Sequence, residues 1–236
     1  PVAVRCENEP HLPAPPEMAY FTGGGDGSEP LSGTIETLED GTHPFVLFDM
    51  GLVRSGLFVI EVESNTGGTV DIGWDDRLDE NGRVHPFRCA PNCSRVELPA
   101  GRHRWESFFE RGGRYVQAVF RDFQGTIKLH ELGVRETLTL PRGAPEASFE
   151  CEDELLNRIW RAAVETTRQY VNGCGYGDAV RERHHWFHDD ARALRMAFYD
   201  FGEWRSWRRG LELTAQSQNS DGSFPVCSPG HSEDYN

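Results

Sequence analysis

Short runs in which apolar and polar residues alternate fill positions 43–140 of the chain. In one such run, Phe58, Ile60 and Val62 fall on one side of an extended chain and the intervening glutamates on the other. Turn-forming residues separate the runs, and no helical period lies between them. The pattern predicts an antiparallel β-sandwich. Its strands are placed at 45–48, 56–63, 69–74, 95–98, 104–109, 114–120 and 126–134.

The segments on either side of this β region have different patterns. Residues 1–42 contain clustered prolines and three consecutive glycines but no periodic apolar positions, which predicts an irregular lead-in. Residues 141–147 contain two prolines and predict a linker. The predicted organisation is therefore a lead-in at 1–42, a β-sandwich domain at 43–140, a linker at 141–147 and a helical domain at 148–236.

The helical domain is predicted from apolar residues that recur at a period near 3.6. Leu155, Ile159 and Ala163 mark such a stripe, and carboxylates stand near its start, where they favour the helix dipole. A glycine-rich break follows this first helix. The three helices are placed up to about Tyr170, from just after Arg183 to about Phe201, and across Trp204, Trp207, Leu211 and Ala215.

Composition and charge narrow the function classes. With 24 basic and 38 acidic residues, the chain has a formal net charge of −14, which repels phosphate backbones and anionic lipid. A nucleic-acid partner is therefore not expected. No apolar run reaches the roughly 18 residues that a membrane helix needs, so a membrane partner is not expected either. The six cysteines form no C-x-x-C pair, so free thiols are predicted. The location, cytoplasmic or secreted, stays open with a slight preference for the cytoplasm, because a removed signal peptide before Pro1 is compatible with the sequence.

The residues between 177 and 190 concentrate charged, histidine and aromatic side chains after the glycine-rich break. A helix that begins at about Arg181 would place Glu182, Trp186 and Asp189 on one face. Two carboxyl groups and a flat aromatic ring on one face suit a sugar, because the ring stacks on C–H groups and the carboxyl groups bind hydroxyls or move protons. The alternative interpretation is a solvated, salt-bridged helix start.

The same segment also permits a metal interpretation. His184 and His188 are four residues apart, as are His185 and Asp189. The H-E-x-x-H pattern of zinc proteases is absent. We therefore expect no metal site and no cofactor, and assign these side chains to a polar helix face or to hydroxyl binding.

Four stretches together resemble bacterial α-L-rhamnosidases of glycoside hydrolase family 78, over about residues 43–236. Residues 112–116 are similar to the G-x-R-Y-V strand late in that family's sandwich, and residues 149–160 to its F-x-C-x-D-x-L-L-N-R-I-W motif at the start of the barrel. Residues 181–189 resemble the end of the pattern D-C-P-x-R-E-R-x-G-W-x-G-D. Residues 215–225 resemble the A-x-Q…D-G-S-x-P segment.

This resemblance implies an antiparallel β-sandwich followed by the opening helices of an (α/α)6 barrel, incomplete in this chain. It implies hydrolysis of terminal α-L-rhamnosides with inversion, and Glu182 takes the place of the general acid. The base, a glutamate in the second half of the barrel, would lie outside the chain, since twelve helices need on the order of 300 residues. A missing segment or a second chain would supply it, and apolar helix faces would be exposed without it. The residues expected to bind the rhamnose-containing substrate are Asp178, Arg181, Arg183, Trp186 and Asp189.

The sequence departs from the family pattern at identifiable positions. Gly177 stands where the pattern has its aspartate, and Asp178 is expected to substitute for it. His185 and His188 replace the two glycines around the tryptophan, which indicates a divergent branch acting on another deoxysugar or on a rhamnose–uronate linkage. Two alternatives stay open: a rhamnose–uronate lyase on the same architecture, and a non-catalytic carbohydrate-binding fragment. Arg181 and Arg183 are expected to point away from Glu182, toward Asp178, Asp189 or substrate, so that the acid stays protonated.

Overall fold

The computed structural model describes residues 3–5, 31–37, 43–85, 87, 91–140, 147–173, 178–181 and 184–227. The chain divides into two compact units, Pro1–Glu136 and Thr137–Asn236. Each unit has its own hydrophobic core.

The first unit is built from antiparallel strands. Its described residues pair in the order β1-β5-β4-β7-β3-β8-β2, and β6 pairs with β3. The strands are β1 Ala3–Arg5, β2 Leu31–Glu36, β3 Phe45–Ser64, β4 Gly68–Asp75, β5 Cys93–Leu98, β6 Gly101–Glu106, β7 Arg111–Arg121 and β8 Thr126–Glu136.

The long strand β3 belongs to both layers of the sandwich. Its first part pairs with β7, and from residue 56 onward it pairs with β8 and then also with β6. A bulge lies within the part that pairs with β7, between Asp49 and Arg54. Gly56 stands at the crossing, where a Cβ atom would lie 2.2 Å from the main-chain oxygen of Arg135. The two runs predicted at 45–48 and 56–63 are therefore parts of one continuous strand. Only glycine at position 56 allows this strand to pass so close to β8.

The core lies between the two layers. The side chains of Phe58, Ile60 and Val62 are at most 1% exposed, which confirms the inward face that the alternation predicts. The Phe58 ring stacks on the Trp74 ring at a centroid separation of 4.7 Å and joins the strands of the two layers. Glu61 lies on the other face of β3, where it accepts a hydrogen bond from Arg102 at 2.6 Å. The antiparallel sandwich predicted from the sequence is confirmed.

The predicted irregular lead-in needs correction, because residues 1–42 contain two strands. β2 pairs with β8 at one edge, and β1 pairs with β5 at the other. A strand of three to six residues carries too short a pattern to identify itself, and its conformation is fixed by a distant partner strand. The other residues of the lead-in are outside the described part, as are residues 141–146 of the predicted linker.

The second unit contains three described helices, α1 Glu154–Tyr170, α2 Phe187–Phe201 and α3 Arg205–Gln216. Asp153 caps α1 by accepting a hydrogen bond from the Leu155 amide at 2.8 Å. Gly202, at φ +64°, ends α2 in the left-handed conformation that glycine adopts readily. The helices pack around one cluster: Leu140, Val164, Val171, Leu194, Ala197 and Phe201, with Trp160 and Trp207 partly buried against it.

Several apolar side chains of this unit are exposed, as expected for part of a barrel. Leu155 is 60% exposed and Ile159 54%, so the stripe that predicts α1 faces away from the core cluster. Tyr199 and Leu211 are also exposed, and Trp204 is 49% exposed. None of the described helices combines the length and apolar character that crossing a bilayer requires.

Candidate functional site

The predicted site residues fall between α1 and the first turn of α2. The structure describes Asp178, Arg181, Trp186 and Asp189. Glu182, the predicted general acid, and Arg183 lie outside the described residues. The site is therefore built from the residues on either side of them.

Asp178 organises the turn that leads to Arg181. One carboxylate oxygen of Asp178 accepts hydrogen bonds from the amides of Val180 and Arg181, at 2.9 and 3.1 Å. Its other oxygen accepts from Nε of Arg181 at 2.6 Å. The backbone of Asp178 has φ +34°, a region that aspartate tolerates better than most residues. Arg181 thus points to Asp178, one of the directions expected for it.

Trp186 lies just before α2 and not within it. Its backbone is extended, with φ −84° and ψ 100°, and it forms an isolated antiparallel bridge with Cys227. Its carbonyl accepts a hydrogen bond from the Asp190 amide at 2.8 Å, which closes the first turn of the helix. The helix predicted from just after Arg183 therefore begins later, at Phe187, and it does not extend back to Arg181 as the shared face would require. Trp186, the residue before it, is instead paired with Cys227.

This later start changes the face predicted for the site. Asp189 lies in the first turn of α2 and is exposed, where the helix dipole favours its charge. Trp186 is half-buried and precedes the helix. Trp186 and Asp189 therefore do not share one helical face, and Glu182, the third residue of the predicted face, lies outside the described residues.

A buried cluster that the sequence interpretation missed joins the two helices beside these residues. Tyr170, the last residue of α1, donates a hydrogen bond from its hydroxyl to one carboxylate oxygen of Asp190. The other oxygen of Asp190 contacts Nδ1 of His185. The side chains of His185 and Asp190 are each only 1% exposed. The Tyr170–Asp190–His185 network links the end of α1, the end of the loop and the first turn of α2.

The phenol of Tyr170 stays a hydrogen-bond donor in this network. Burial raises the pKa of Tyr170, and the hydrogen bond to Asp190 and the charges of Asp190 and Asp189 raise it further. Deprotonation would place a second negative charge against the buried carboxylate.

One sequence signal could have found Asp190. Asp190 lies on the buried stripe of α2, and the other members of that stripe, Leu194, Ala197 and Phe201, follow it by four, seven and eleven residues. A carboxylate on an otherwise apolar stripe must find buried polar partners. His185 and Tyr170, by contrast, carry no periodic signal that marks them as those partners.

The histidines of the segment serve separate contacts. His184 precedes α2, and its Nδ1 lies 3.8 Å from the sulfur of Cys227. His188 is exposed in the first turn of the helix. Within the described part of the chain, no three His, Cys, Asp or Glu side chains converge as they would around a metal ion.

The described groups offer an aromatic surface and charged hydrogen-bonding groups. The half-buried indole of Trp186 offers a flat apolar surface, and Asp189 offers carboxylate acceptors to solvent. The Asp178–Arg181 pair, with side chains one-third and half exposed, adds an acceptor and donors. Such a combination of one aromatic wall with charged hydrogen-bonding groups orients polar ligands.

Comparison with known proteins gives consistent results for both units. Residues 145–236 match the family model of the bacterial α-L-rhamnosidase six-hairpin glycosidase domain. None of the curated proteins compared with the chain matches it.

Solved structures match over most of the chain. A family 78 rhamnosidase of Bacillus sp. GL1 is 26% identical with a TM-score of 0.76, over 86% of this chain and 21% of its own. The α-L-rhamnosidase of Streptomyces avermitilis, complexed with L-rhamnose, is 19% identical with a TM-score of 0.63, over 86% of this chain and 19% of its own. A rhamnosidase from Klebsiella oxytoca with rhamnose bound is 16% identical with a TM-score of 0.69, over 79% of this chain and 39% of its own.

The chain thus spans about a fifth of the length of the Bacillus and Streptomyces enzymes it matches. Its sandwich and three helices correspond to the β-sandwich and the start of the helical barrel of such enzymes. Residues 145–236 are thus similar to the glycosidase domain of bacterial α-L-rhamnosidases, and the fold of the chain is similar to that of a family 78 rhamnosidase.

Proposed function

We propose that the complete protein containing this chain hydrolyses terminal α-L-rhamnosides with inversion and that Glu182 is its general acid. The supporting observation is the family-model match at 145–236, which contains the Arg181-Glu182-Arg183 sequence together with Trp186 and Asp189. The rhamnose-bound relatives from Streptomyces and Klebsiella support L-rhamnose as the sugar.

The chemistry requires two carboxyl groups with different tasks. In an inverting hydrolase an acid protonates the leaving oxygen, while a base about 6.5–9.5 Å away activates a water molecule on the opposite face of the sugar. A free guanidinium beside the acid would favour its ionised form. Asp178 holds Nε of Arg181 at 2.6 Å and so neutralises one of the two arginines that flank Glu182 in sequence.

The sugar is held by the residues around the acid. The indole of Trp186 stacks on its C–H groups, and Asp189 accepts hydrogen bonds from its hydroxyls. Asp178, Arg181 and Arg183 add further donors and acceptors. This assignment is supported by the half-buried indole and by the exposed carboxylate of Asp189, three residues further along in the first turn of α2.

The base belongs to the remainder of the barrel, supplied by further residues or by a second chain. The exposed apolar side chains of α1 and α2, such as Leu155, Ile159 and Tyr199, would pack against that remainder. The proposal is consistent with the chain covering 21% of the Bacillus rhamnosidase.

The test is hydrolysis of an aryl α-L-rhamnoside by the complete protein and by its Glu182→Gln variant. Glutamine keeps the shape but carries no transferable proton, so kcat should fall by about 10²–10⁴-fold while L-rhamnose still binds. Glu212→Gln is the matched control, because Glu212 is an exposed glutamate of α3 that pairs with Arg208. This control should keep the wild-type kcat.

Other results would contradict the proposal in distinct ways. An unsaturated uronate product, detected by its ultraviolet absorbance, would identify a rhamnose–uronate lyase. Sugar binding without turnover by the wild-type protein would identify a carbohydrate-binding protein. Full activity of Glu182→Gln would remove Glu182 from the acid role.

A further inference from the structure

We infer that the Tyr170–Asp190–His185 network is a positioning device that holds Trp186 and Asp189 in place for the sugar. This inference rests on the proposed function, which assigns sugar contacts to those two residues. The His185 and Asp190 side chains are buried and that of Tyr170 is partly buried, so we assign all three as positioning residues.

The chain connects the network directly to both contact residues. His185 immediately precedes Trp186, and Asp190 immediately follows Asp189. Successive residues of a helix point about 100° apart, so burial of Asp190 turns Asp189 outward. The amide of Asp190 also donates to the Trp186 carbonyl at 2.8 Å. A shift of the first turn of α2 would therefore displace both groups together.

The polar character of the network supports a positioning role. Asp190 occupies a place on the stripe formed by Leu194, Ala197 and Phe201, where an apolar side chain would pack without directional constraint. A buried carboxylate is tolerated only with partners at hydrogen-bonding distance. Its contacts with Tyr170 and His185 thus fix three segments relative to one another.

His185 is a departure that this network accounts for. The rhamnosidase pattern has glycine at this place, and glycine offers no side chain to a buried carboxylate. In this chain the imidazole is 1% exposed and contacts Asp190. The substitution therefore adds an interior contact beside Trp186 and leaves the sugar-facing surface to the neighbouring residues.

Tyr170→Phe tests the inference in the complete protein, because it removes one hydroxyl and leaves the ring. The KM for an aryl α-L-rhamnoside and the Kd for L-rhamnose should both rise about tenfold, with a much smaller change in kcat. The displaced groups contact the sugar equally in the ground and transition states, so the loss appears in binding. Glu182→Gln should show the opposite split, a fall in kcat with binding retained.

Two further variants control the experiment. Tyr199→Phe makes the same chemical change at a position of α2 outside the network, and should leave KM and Kd unchanged. Asp190→Asn keeps an acceptor for Tyr170 and should retain more sugar affinity than Asp190→Ala. A lower melting temperature of Tyr170→Phe with unchanged KM and Kd would overturn the inference, because the network would then only stabilise the fold.

Amide exchange separates this inference from the proposed function. The Trp186 and Asp190 amides should exchange faster in Tyr170→Phe, while the Arg208 amide of α3, bonded to Trp204, should not change. If the wild-type protein neither binds L-rhamnose nor hydrolyses rhamnosides, the proposed function is refuted. In that case amide exchange alone tests the inference. Faster exchange at Trp186 and Asp190 in Tyr170→Phe supports positioning by the network, and unchanged exchange overturns it.

Discussion

Replacing Gly56 by alanine should disrupt the sandwich at the point where β3 passes between its layers. The new Cβ would lie 2.2 Å from the Arg135 oxygen and 2.7 Å from Cα of Glu136. Both are main-chain atoms, so no side chain can rotate away. Restoring an ordinary contact requires β3 and β8 to separate by about 1 Å. Because Gly56 also pairs with Arg111 of β7, that movement disturbs a second strand.

The cost of Gly56→Ala is expected at the upper end of overpacking changes, about 3 kcal/mol. Gly33→Ala is the matched control, since Gly33 lies in β2 of the same sheet and a Cβ there meets nothing within 4 Å. Loss of glycine flexibility should leave that control neutral or stabilise it by up to about 1 kcal/mol.

Hydrogen exchange followed by mass spectrometry, read on peptides from β4 and β7, measures the opening free energy of the sandwich separately from the helices. Urea titration of that exchange gives the free energy of unfolding for Gly56→Ala, Gly33→Ala and the wild type. A difference below about 0.5 kcal/mol between the two variants would refute the close approach of β3 to β8.

The remaining predictions concern the ion cluster on β4, β5 and β7. Asp71, 6% exposed, accepts hydrogen bonds from Nε of Arg95 and Arg121, each at 2.6 Å. Asp71→Asn should therefore destabilise the sandwich by about 2 kcal/mol in urea unfolding, whereas a loss below about 0.5 kcal/mol would contradict this. Burial alone raises the pKa of Asp71, but the two arginines outweigh burial and hold the pKa below the usual 3.8. The stabilisation that the ionised Asp71 contributes to the folded state is complete above pH 3.8 and is lost as the pH falls below that value. The wild type should therefore lose more stability than Asp71→Asn in acid.

The sequence predicts those parts of the fold that carry a long regular pattern. The alternation at Phe58, Ile60 and Val62 identifies the inward face of β3, because a strand buried on one side requires it. β1 and β2 are missed because short edge strands depend on their partners β5 and β8 for their conformation. The continuity of β3 across its bulge is likewise a property of pairing and not of the local sequence.

The candidate site is predictable only in part for the same reason. Motif spacing brings Asp178, Arg181, Trp186 and Asp189 to attention, and the structure places all four between α1 and the first turn of α2. The start of α2 at Phe187 depends on pairing between Trp186 and Cys227, 41 positions apart, which no local period reveals. The roles of Glu182 and Arg183 stay predictions, since both lie outside the described residues.

The buried network illustrates how a departure from a motif can be understood physically. His185 in place of a glycine indicates a bulky change next to the sugar site when only the sequence is considered. The structure directs its side chain inward to Asp190. Two residues that each break a local rule, a histidine at a glycine position of the pattern and a carboxylate on an apolar stripe, contact each other.

A crystal structure of the complete protein with L-rhamnose tests the central claim most directly. We expect the sugar at the segment that joins α1 and α2, with its C–H groups on the Trp186 indole and its hydroxyls bonded to Asp189. The Glu182 carboxyl should lie beside the anomeric oxygen. L-Rhamnose bound elsewhere, with Trp186 and Asp189 free of sugar, would contradict the assignment of this segment as the active site.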